Sequence, residues 1–266
     1  MNKIKVVDDI LELANVSKNI HIEYYRRECI FGINEIKIVV TKDSDLDIEI
    51  KLKEETKLNF NINVDENVNL NLNIVTKGKS GKVQYKYNVE KNSFVNVFKF
   101  QNIKNIKEMV IARLVGENAK IEYNFKTISN MKETYDYHVF HDANNTESNI
   151  KNNGVCIDKG LIVYQVSSFV PKDIKGCIVN QSNRIINLTN NKSEIMPNLY
   201  IDSSDVEASH SALIGKFSDE EMFYLQSRGI DYNTALKLLI SGFLTSDIDN
   251  KNILKQINKN IEKYWR

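Results

Sequence analysis

The sequence predicts a mainly β protein with a short helix at its start and a helical module at its end. Three observations carry this. From about residue 36 apolar and polar residues alternate, as in Leu58, Phe60, Ile62 and Val64 against Asn59, Asn61 and Asn63. The 266 residues include only 10 Gly and 2 Pro, few for the tight turns of a sandwich or barrel. After residue 218 the period becomes that of amphipathic helices. Shallow corners of Asp, Glu, Asn and Lys suit a chain that coils onward without reversing, which favours a β-helix over the other two architectures. No strict fixed-period repeat is visible.

In chain order, residues 5–16 place Val6, Val7, Ile10, Leu11 and Ala14 at helical spacing and predict a short amphipathic helix. Val68, Leu70, Leu72 and Ile74 then repeat the alternation against Asn69, Asn71 and Asn73. Further alternating runs follow, with a turn roughly every 8–13 residues. Ser218 and Glu221 form a capping box that opens a helix expected to stop at Gly229. A second helix is expected from Tyr232 or Asn233 to Ser241, ending at Gly242. A third, over roughly 247–265, carries Ile253, Ile257, Ile261 and Trp265 as one stripe. The expected divisions are 1–30 (helical), 31–214 (β-helix core) and 215–266 (helical).

Composition narrows the function. Lys plus Arg (36) against Asp plus Glu (35) gives a net charge of +1, too little for a global field that holds nucleic acid or an anionic membrane. Acidic residues near the start argue against a signal peptide, and three scattered cysteines (Cys29, Cys156, Cys177) against a disulfide framework. A cytoplasmic protein is expected. Gly78-Lys79-Ser80 resembles the end of a phosphate-binding loop, but Asn73 stands where the first glycine is required and strands flank it on both sides. No zinc spacing and no nucleophile elbow occurs. His138 and His141, three apart, face opposite sides of a strand. His210 sits where β body and helical module meet, on the other face from Glu207, Ser209 and Ser211.

At this junction the run Asp205-Val-Glu-Ala-Ser-His-Ser-Ala-Leu-Ile-Gly215, followed by Asp219-Glu-Glu-Met-Phe-Tyr-Leu-Gln-Ser-Arg-Gly-Ile230, resembles the C-terminal signature of the SufB/SufD family. Leu238–Phe243 is similar to its closing apolar helix. His141-Asp-Ala-Asn-Asn-Thr-Glu-Ser148, Gln181-Ser-Asn-Arg-Ile-Ile-Asn-Leu188 and Met196-Pro-Asn-Leu-Tyr-Ile-Asp202 look like three upstream segments of that family, in the same order.

The resemblance implies a right-handed parallel β-helix with a helical C-terminal domain, and a non-enzymatic role in iron–sulfur cluster assembly beside a SufC-like ABC ATPase. It implies dimerisation through the β-helix end, as a homodimer or with a SufB-like subunit. A transient iron–sulfur cluster would meet Cys177, Glu207 and His210, and no nucleotide would bind this chain. The ATPase would contact Phe223, Tyr224, Leu225, Arg228 and Gly229. Ser182 stands where the SufB branch has a cysteine, and Ser211 where it has a glutamate, so the chain is similar to SufD or to compact members. A purely architectural dimer is the second reading, and a carbohydrate-active β-helix the third.

Overall fold

The computed structural model describes residues 2–8, 10–25, 34–53 and 56–264. Its strands are β1 (Asn2–Val7), β2 (Ile10–Ala14), β3 (Ile20–Tyr25), β4 (Asn34–Val40), β5 (Ser44–Leu52), β6 (Thr56–Val64), β7 (Asn69–Val89) and β8 (Phe94–Leu114). They continue with β9 (Lys120–Ser129), β10 (Lys132–His141), β11 (Glu147–Cys156), β12 (Leu161–Val170), β13 (Cys177–Asn187), β14 (Glu194–Ile201) and β15 (Val206–Gly215). The helices α1 (Asp219–Ser227), α2 (Tyr232–Thr245) and α3 (Lys251–Tyr264) follow.

The strands wind into a parallel β-solenoid of about seven turns. One wall stacks β1, β5, the first half of β7, the first half of β8, β9, β11, β13 and β15. The second stacks β4, β6, the later halves of β7 and β8, β10, β12 and β14. Among the described residues only β2 on β1 and β3 on β4 are antiparallel, at the N-terminal end. The alternation is thus read correctly: Leu58, Phe60, Ile62 and Val64, then Val68, Leu70, Leu72 and Ile74, are all buried between the walls. Aromatic rings fill the middle, with Phe60 on Tyr85 at 5.1 Å and Phe125 on Tyr135 at 4.6 Å.

Asparagine turns the corner. Asn67, Asn92, Asn118 and Asn145 hold φ of 59°, 55°, 60° and 57°, a left-handed conformation that asparagine tolerates better than most residues. Their amides form a ladder, Asn92 to Asn67 at 3.0 Å and Asn118 to Asn92 at 2.8 Å. The pair Asn153-Gly154 makes no hairpin but lies inside β11, where a Cβ on Gly154 would stand 2.5 Å from Ile162 and 2.8 Å from the Tyr164 hydroxyl.

Three expectations change. The N-terminal helix is instead β1 and β2: Ile4 and Val6 are buried at a strand's spacing, and β1 gains a parallel ladder with β5 that a lone helix could not match. The β body therefore begins near residue 2, not 31. The second helix runs through Gly242 to Thr245, because fully buried Leu244 continues its apolar stripe and offsets the roughly 1 kcal/mol cost of a helical glycine. The third begins at Lys251, where the Asn250 side chain accepts from the Asn252 and Ile253 amides. Cys29 and Trp265 lie outside the described residues.

The helical module is not appended to the solenoid end. It folds back along the outer flank of the first wall, packing Leu236, Ile240, Leu244, Ile253, Ile257 and Ile261 with wall residues including Val75, Phe100, Ile128, Val155 and Ile186. Lys126, fully buried on that flank, reaches Asp247 in the α2–α3 connection at 2.9 Å. The solenoid end is left open.

Two ionisable clusters sit between the walls. Lys99 and Glu108 form a fully buried ion pair. Beside it, Glu133 accepts from Thr127 at 2.8 Å and Tyr135 at 2.7 Å, and burial raises its carboxyl to about 8.

Candidate functional site at the open end of the solenoid

The last turn has no successor. Among the described residues β14 pairs only with β12, and β15 only with β13, so each leaves one edge of backbone amides and carbonyls unpaired there. Register carries the inward-facing rows onto Ile195, Leu199 and Ile201 of β14 and onto Val206, Ala208 and His210 of β15. None of these is buried.

His210 lies over Gln181, its partner in the register. Gln181 is buried, and its amide donates to Ser168 at 2.9 Å and to the Asn198 carbonyl at 3.2 Å. One position beyond Ser182, buried Asn183 accepts from Asn152 at 2.8 Å. A polar floor therefore underlies His210, while apolar Val170, Cys177 and Val179 underlie Leu199, Ile201 and Val206.

Cys177, the first residue of β13, is 1% exposed and opposite Val206, four positions before His210 on β15. At ~3.3 Å per residue the two are separated by about 13 Å along the strands. The side chain of Thr146 lies 3.3 Å from the Cys177 sulfur and 2.8 Å from Nδ1 of His141, and it donates to the Ala143 carbonyl at 3.0 Å. With its single proton so used, the Thr146 hydroxyl accepts from the imidazole. His141 is thereby set as the Nδ1–H tautomer, with Nε2 accepting from Ser148 at 2.9 Å. Burial lowers His141 to about 4. Burial pushes the Cys156 thiol up to about 12.

Glu207 faces outward with Ser209 and Ser211, opposite His210 in sense, as expected from alternation. Ser209 donates to Asn180 at 2.7 Å, and Ser211 lies 3.3 Å from Ser182. The structure thus brings His210 and Gln181 together but not Cys177, Glu207 and His210. Among the described residues no three His, Cys, Asp or Glu side chains cluster as metal ligands would. The Thr146–His141–Ser148 network was not singled out by sequence reasoning, although all three residues lie in one recognised segment.

The second exposed feature is α1. Its capping box forms as expected, with the Ser218 hydroxyl accepting from the Glu221 amide at 3.1 Å and Glu221 accepting from the Ser218 amide at 2.9 Å. Gly229 ends the turn at φ 81°. No α1 residue is buried: Phe223 is 72% and Tyr224 59% exposed, Leu225 is half-buried, and the Arg228 guanidinium rests over the Tyr224 ring at 5.5 Å.

Fold and exposed ends define a parallel β-solenoid protein that carries a flank-docked helical module. The SUF system FeS cluster assembly SufBD core domain matches residues 28–243, and the chain belongs to this family. It is 29% identical over 107 residues to an iron–sulfur cluster assembly SufBD family protein of Staphylococcus saprophyticus, covering 40% of this chain and 23% of that one. It is 38% identical over 81 residues to a SufBD family protein of Mycobacterium leprae, covering 30% and 20%. Against the iron–sulfur cluster assembly protein SufD of Bacillus subtilis it is 27% identical over 135 residues, covering 49% and 31%. The matched stretches thus span less than a third of these relatives. No helix among the described residues is long and apolar enough to cross a membrane.

Proposed function

We propose that this chain is a non-enzymatic, cytoplasmic subunit of an iron–sulfur cluster assembly machine, driven by a SufC-like ABC ATPase that docks on α1. In this reading the open solenoid end pairs with a second SufBD-type chain, identical or SufB-like. The observation that supports it best is the unroofed last turn, where two strand edges, the apolar row from Leu199 to Val206 and His210 are exposed together. Strand pairing would satisfy the edges and bury the apolar row. His210 of each chain would then stand near the junction, and a cluster in transit would be cargo shared between chains.

Separation of Cys177, Glu207 and His210 favours the architectural variant, in which the chain recruits the ATPase and shapes a dimer while another subunit ligates iron. The test is sedentary in method: measure the mass of the chain at micromolar concentration by light scattering, alone and with a SufB-like partner, then assay copurification of the ATPase. Dimer or heterodimer formation with ATPase retention is expected. A monomer under every condition overturns the pairing reading.

A further inference from the structure

We infer that the outer face of the second wall carries a docking groove for an extended acidic segment of a partner protein, centred on Lys82 and Lys107. Lys57, Lys82 and Lys107 stand in register on β6, β7 and β8, with strands about 4.8 Å apart. Like charges placed directly opposite one another destabilise a sheet.

Elsewhere this protein sets opposite charges across from one another more often, Lys51 opposite Lys77 being an exception. Across neighbouring strands Lys5 meets Glu12 at 2.8 Å, Lys37 meets Glu23 at 3.6 Å and Lys120 meets Glu147 at 2.9 Å, each pair in direct register. Arg113 meets Asp142 at 2.8 Å on the same outer side. Lys82 and Lys107 have no carboxylate partner among the described residues.

The row borders two hollows. The larger, about 570 Å³, is lined by Lys57, Lys82, Lys107, Gln84, Met109 and Asp136 among others. The smaller, about 340 Å³, holds the same lysines with Ser80, Gly81 and Asn105. The Gly78-Lys79-Ser80 run, excluded above as a nucleotide loop, lies at this corner.

The lining selects among anions. Met109 is half-exposed in the floor and the Gln84 amide lies 3.4 Å from its sulfur, so the centre offers apolar contact and a side-chain amide. Asp136, beside His138 at 3.0 Å, closes the far margin with a carboxylate. A uniform polyanion such as a nucleic acid or polyphosphate would meet that repulsion, and the net charge of +1 gives it no long-range attraction. A peptide with carboxylates along one side and apolar residues along the other matches both margins.

The probe is a short fluorescein-labelled peptide alternating Glu and Leu, titrated with the full chain near physiological salt and read by anisotropy. Lys82→Glu with Lys107→Glu is expected to weaken binding about tenfold or more. Lys18→Glu with Lys42→Glu, on exposed loops with the same charge change, is expected to leave it within about twofold. Lys82→Gln with Lys107→Gln, checked for an unchanged melting temperature, guards against a folding defect. The proposal is overturned if the peptide does not bind, if the paired variants bind as the wild type does, or if labelled polyphosphate or single-stranded DNA binds more tightly than the peptide.

Discussion

Cys177 and His210 share the inward-facing side of adjacent strands, yet the register sets Cys177 beside Val206 and His210 beside Gln181. Sulfur and imidazole are therefore on one face and out of reach of one metal. The Cys177 sulfur lies 3.3 Å from the Thr146 hydroxyl and is buried, so Cys177 is tied to the wall rather than offered to the open end.

This geometry makes the two residues separable. On anaerobic reconstitution with iron and sulfide, the isolated chain is expected to hold no stable cluster by visible absorption. With a partner chain and the ATPase present, His210→Ala should reduce any absorption gained, and Cys177→Ser should leave it unchanged. Equal loss in both variants would show that Cys177 leaves its Thr146 contact and reaches the cargo.

Stability should fall as pH rises from about 6.5 to 8 and as it drops below about 4.5, the slopes of two buried groups opposing one another in between. Glu133 rises from 4.5 to about 8 on folding because of burial, so its contribution is complete below 4.5 and is lost as pH climbs through 8. His141 falls from 6.5 to about 4, also by burial, so its contribution is complete above 6.5 and is lost as pH drops through 4. Each is worth on the order of a few kcal/mol at about 1.4 kcal/mol per pH unit. Thermal melting of Glu133→Gln should lose most of the alkaline decline and retain the acid one. An unaltered alkaline limb would place the responsible group elsewhere.

Much of the β body is legible because each strand has one face between the walls, and alternation reports that directly. The coil period is hidden because it drifts. Ladder partners such as Asn92 and Asn67 are 25 residues apart, whereas Asn152 and Asn183 are 31 apart. β7 and β8 also pass through both walls as single strands, which removes the turn signal at one corner. Flank docking leaves only faint traces, in adjacent apolar pairs such as Ile74-Val75 and Ile185-Ile186 that place one residue inward and one under the helices. The first residues mislead because Val6, Val7, Ile10 and Leu11 fit a helical spacing, while the left-handed turn at Asp8 and the ladder with β5 are long-range consequences. At the site, the faces of Glu207 and His210 are readable from alternation. The distance from Cys177 to His210 is not, because it depends on register between strands.

The Lys126–Asp247 contact should act as a one-sided clamp. Lys126 is fully buried whereas Asp247 is partly exposed, so removing the carboxylate strands a cation under the helices. Asp247→Asn is expected to cost about 2 kcal/mol or more in urea unfolding. Lys126→Met, which removes the charge and keeps much of the volume, should cost less. The reverse order would mean that water reaches the Lys126 ammonium when the aspartate is gone.

The exposed residues of α1 allow a cleaner test of ATPase docking than truncation does. Deleting 218–266 would uncover Val75, Phe100, Ile128, Val155 and Ile186 along the flank, so lost binding would be confounded with a damaged solenoid. Phe223 and Tyr224 touch no buried core, and truncating either to Ala should change unfolding free energy by about 0.5 kcal/mol or less. If they anchor the ATPase, Phe223→Ala and Tyr224→Ala should each weaken its copurification, with about a tenfold or greater loss of affinity for the double variant. Leu225→Ala should weaken both binding and stability, since that side chain is half-buried. Full ATPase binding by a folded double variant would move the docking surface off α1.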